Sequence, residues 1–158
     1  MSFLKPIDVY IDLGGFGPNV MARPNNSRVA SFFKNLRQFL DFRRFDVKRI
    51  FVSACSSQGI MPVPENVQQA LNATFTRCRA EFFWSKESEI RLQEEIEKAE
   101  GEENLSPDVM LVTNSIYFVP LLQSLKEKKF SLVVCGTMSP LPLRNAATAS
   151  INMKEVLS

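Results

Sequence analysis

Residues 108–122, DVMLVTNSIYFVPLL, constrain this chain more than any other stretch: an apolar run, a polar corner, then a second apolar run at helical spacing. Val109, Met110, Leu111 and Val112 are too few and too β-branched for a helix, so they read as a strand buried on both faces. Asn114 and Ser115 can cap the helix that follows, and Phe118, Leu121, Leu122 and Leu125 give that helix one apolar stripe. Pro120 falls in the first turn, where a missing N–H costs little. Such a corner faces the carboxyl end of a parallel sheet, where α/β folds place their sites.

The rest of the chain repeats the alternation. Strands are predicted over residues 7–13, 49–54, 79–84, 108–112 and 130–136, and helices over 25–44, 64–76 and 85–100, with a loop and short helix over 137–147. The expected fold is α/β: a three-layer sandwich with a mostly parallel sheet of about five strands and helices on both faces. One domain accounts for residues 1–158, whether the chain is whole or a piece of a longer protein. The strand over 79–84 alternates polar residues and belongs nearer an edge.

In the helix over 25–44 the buried stripe is Val29, Phe32, Phe33, Leu36, Phe39 and Leu40. Phe42 and Phe45 fall off it, beside Arg37, Arg43, Arg44, Lys48 and Arg49. Two readings fit this cluster: a solvated basic face closed by two phenylalanines, or a contact surface for an acidic protein or RNA phosphates.

A net charge of +2 does not by itself argue for nucleic acid. Thirteen Phe against one Trp and two Tyr is more than a core needs and suggests interfaces. The chain has no His, which excludes His-based triads, and Cys55, Cys78 and Cys135 lack metal-ligand spacing. They read as buried free thiols in a reducing compartment. No apolar run reaches about 18 residues and no signal peptide opens the chain, so no membrane partner and an intracellular location, cytoplasmic or nuclear, are expected. Gly14, Gly15 and Gly17 are followed by Pro18 and Asn19 rather than a helix start, so this loop is not a dinucleotide fingerprint.

The corner resembles the Ser-Gly-Asp-Ser-Asp-Phe-x-Pro-Leu signature of NYN domains, PIN-like metal-dependent ribonucleases whose corner aspartates help hold catalytic magnesium. Residues 113–121, TNSIYFVPL, keep the frame, with Ser115 and Tyr117 where the aspartates stand. The first strand of the family ends in Ile-Asp-x-x-Asn; Ile11 and Asp12 match, and Gly15 replaces the asparagine. Residues 86–96 resemble the Lys-Gly-Val-Asp-Val-x-Leu-Ala-x-Asp segment, with Glu89 and Glu95 for its aspartates. Glu89 also has a plain structural reading, as an acid favoured at a helix N-terminus. The resemblance implies a PIN-like/NYN domain with a vestigial site of Asp12, Glu89, Ser115 and Tyr117, in which Asp12 and Glu89 are weak metal candidates. It implies no catalysis and no cofactor, with Mg²⁺ or Mn²⁺ entering only if the site is active. The expected role is a protein-interaction or dimerisation module in RNA metabolism or RNA silencing. The alternatives are a metal-dependent endoribonuclease with a divergent site and a non-cleaving RNA-binding module.

Overall fold

A computed structural model describes residues 4–12, 26–54, 65–84, 88–102, 107–136, 139–153 and 155. The described strands are β1 (Lys5–Asp12), β2 (Phe45–Ala54), β3 (Arg79–Trp84), β4 (Asp108–Val112), β5 (Ser131–Cys135) and β6 (Ala149–Asn152). Between them lie α1 (Asn26–Phe42), α2 (Glu65–Thr74), α3 (Ser88–Glu102), a 3₁₀ turn (Ile116–Phe118), α4 (Val119–Lys126) and α5 (Leu141–Ala146). The six strands form one sheet in the order β3-β2-β1-β4-β5-β6, and every pairing is parallel. The chain is thus a three-layer α/β sandwich, with one strand more than the apolar runs predict.

The layers follow from alternation along the strands. Ile7, Val9 and Ile11 of β1 face α1 and α2 with Phe32, Phe33, Leu36, Leu40, Val67 and Leu71. Tyr10 of the same strand faces α3, α4 and α5, with Leu92, Ile96, Leu122 and Leu143. Crossovers between parallel strands are right-handed, so helices change face where the strand order reverses. Here the reversal falls between β1 and β4, and their carboxyl ends open the crevice where doubly wound sheets bind ligands.

Several boundaries depart from expectation. β2 begins at Phe45 rather than Arg49, because Phe45, Asp46 and Val47 pair with Lys5, Pro6 and Ile7. The register then skips Lys48 and sets Arg49 opposite Asp8, so Lys48 is the extra residue of a bulge. β3 lies at one edge, as its alternation predicts, and β6 at the other. The helix expected after the corner starts with the 3₁₀ turn, and Pro120 sits in the first turn of α4. Cys135 is buried and Cys78 half-buried, both free thiols; Cys55, the glycine loop and Ser85 fall outside the described residues.

Candidate functional site at the switch point

Asp12 ends β1 and is fully buried. An acid in that position needs donors, and Thr113, the residue after β4, supplies one: its Oγ1 donates to Asp12 Oδ2 at 2.8 Å. Thr113 Oγ1 in turn accepts from the backbone N–H of Ser115 at 3.1 Å. The Ser115 hydroxyl donates to Glu89 Oε2 and accepts from the Tyr117 N–H at 3.2 Å, which caps the 3₁₀ turn. One hydrogen-bond chain therefore runs from Glu89 in the first turn of α3, through Ser115 and Thr113, to Asp12.

Asn114 does a different job from the helix cap its type suggests. Its Oδ1 accepts from Gly136 N–H at 2.6 Å, tying the corner to the residue after β5. A Cβ on Gly136 would lie 3.3 Å from Asn114 Oδ1, so the close approach favours glycine. Thr113 N–H donates to Val134 O at 3.0 Å and closes the same seam. The corner is held from both neighbouring strands and from α3.

The structure thus brings together Asp12, Glu89 and Ser115, three of the four residues that the resemblance assigns to a vestigial site. Tyr117 is on the same turn but is 39% exposed, and its ring packs edge-on against Phe118 at 5.5 Å. Ile116 beside it is 60% exposed. Glu95 sits further along α3 and pairs with Arg91 at 3.5 Å. Among the described residues, no three or more His, Cys, Asp or Glu side chains are grouped to share an ion.

The basic cluster divides between the sheet and the surface. Arg49 is turned to the sheet: its Nε and Nη2 donate to Oδ2 of the buried Asp8 at 3.2 and 2.8 Å. Phe45 packs on Phe130 at 5.8 Å and belongs to the core rim, a consequence of the longer β2. Arg37 donates to Thr74 O and pairs with Asp41, joining α1 to the end of α2. Lys48, on the bulge, pairs with Asp46 at 2.7 Å. Phe42, Arg43 and Arg44 are exposed together with Arg37 and Lys48, at the amino end of the strands and away from the corner.

Sequence reasoning places Asp8 at the far end of the strand from Asp12, too distant to join the corner, but gives neither its pairing with Arg49 nor the aromatic ladder beside it. Tyr10, Phe51 and Phe83 stack across β1, β2 and β3 with centroids 5.0 and 6.1 Å apart, and Arg91 lies over Phe83 at 4.5 Å. Burial, then the negative charge of Asp8, pushes the Tyr10 phenol well above its ordinary range, so it stays a neutral core residue. The available signal was the spacing: Asp8, Tyr10 and Asp12 alternate onto one face of a strand whose intervening residues, Ile7, Val9 and Ile11, are all apolar.

No family model matches the chain, and no curated protein matches it. Among solved structures it resembles a Vibrio parahaemolyticus protein of unknown function, with a TM-score of 0.64 and 11% identity. That match covers 94% of this chain and 93% of the other. The likeness extends over the whole sandwich and concerns the fold.

Proposed function

We propose that this chain is a non-cleaving domain of the NYN kind, a pseudo-nuclease that serves as a protein-interaction or dimerisation module in RNA metabolism or RNA silencing. The hydrogen-bond chain at the corner carries the reading. The two carboxylates that remain, Asp12 and Glu89, each accept from a neutral hydroxyl, of Thr113 and Ser115. Two-metal hydrolysis needs clustered carboxylates to hold the ions that activate water and stabilise the leaving oxygen. With Ser115 and Tyr117 in the acidic positions, this corner offers two carboxylates, two hydroxyls and a phenol. That donor set does not fit a two-magnesium centre. The corner keeps its framework because the same bonds hold β4, β5 and α3 together.

The exposed Ile116, Tyr117, Leu141 and Phe42 support a role in binding protein. The non-cleaving RNA-binding alternative draws on the exposed Arg43 and Arg44. Filter retention of single-stranded RNA across a salt series separates the two. The protein-binding reading predicts no retention above background at any salt. Retention that falls steeply as salt rises, and is lost on replacing Arg43 and Arg44, would make the chain an RNA-binding module instead.

A further inference from the structure

We draw no further inference here: the strongest candidate, the hollow of about 360 Å³ between α3 and strands β2 and β3, sets Arg49, Arg91 and Lys98 against Glu81 and Glu95, with Arg49 held by Asp8 and Arg91 beside Glu95, so nothing in the structure selects the charge or class of a ligand for it.

Discussion

Arg49→Met tests most sharply whether the basic cluster is a contact surface or part of the framework. Asp8 is only 1% exposed, and Arg49 reaches its Oδ2 with two nitrogens at 2.8 and 3.2 Å. Taking one partner from a buried ion pair costs about 3–5 kcal/mol, because the other charge is left in a poor solvent. The Arg49 side chain is 32% exposed, so water reaches the pair and screens it. The expected loss is therefore lower, about 2–3 kcal/mol. At roughly 2–4 °C per kcal/mol for a chain of this size, melting should fall by about 5–10 °C. Adding Asp8→Asn removes the stranded charge, and the double-mutant cycle should return a coupling of about 1–3 kcal/mol. Lys48→Met, one residue away on the bulge and half exposed, should change stability by under about 1 kcal/mol. Urea unfolding followed by far-UV circular dichroism reads all five proteins, Asp8→Asn alone included. An Arg49→Met chain as stable as the parent, within about 0.5 kcal/mol, would refute the assignment of Arg49 to the framework.

Further outcomes follow from other sites. Restoring the corner acids with Ser115→Asp and Tyr117→Asp together should make Mn²⁺ stabilise the chain, by about 2.7 kcal/mol at a hundredfold excess over Kd. Thermal shift should show no such effect on the parent. Arg44→Gly relieves a left-handed φ and should raise stability by up to about 1 kcal/mol in urea unfolding. Burial raises the Asp108 carboxyl above its ordinary value, against the smaller pull of Lys5, the Phe130 backbone N–H and Lys129. A raised carboxylate contributes stability below its unfolded pKa and loses it as pH rises through the folded one. Asp108→Asn should therefore match the parent in acid and exceed it near neutrality, a difference read from urea midpoints at about pH 3 and about pH 7.

The apolar strands were legible because parallel strands buried on both faces leave continuous Val, Ile and Leu runs, as in β4 and β5. β2 was legible only from Arg49 onward. Its first half, Phe45-Asp-Val-Lys, alternates charge with apolar residues, and the bulge at Lys48 breaks even that period. The same bulge sets Arg49 opposite Asp8, a long-range pairing that local spacing does not encode. β6 was hidden for another reason: Ala149-Ser-Ile-Asn is short and half-buried at the sheet edge. At the corner, the residue types and their frame could be read directly. The direction of the hydroxyls could not, since Thr113 and Asn114 act across the sheet on Asp12 and Gly136, residues 101 and 22 positions away. The exposure of Phe42 was half legible, as a phenylalanine off the helical stripe. The hollow lined by Leu40, Phe45, Phe75 and Cys78 needs α1, α2, β2 and β3 assembled.

The central claim is that the corner keeps a nuclease-like framework without its chemistry. The most direct test incubates the purified chain with labelled single-stranded RNA and Mg²⁺ or Mn²⁺, beside Asp12→Asn. The account predicts intact RNA in both, indistinguishable from metal alone. Metal-dependent cleavage by the parent that disappears in Asp12→Asn would contradict it, and would make Asp12 a catalytic ligand.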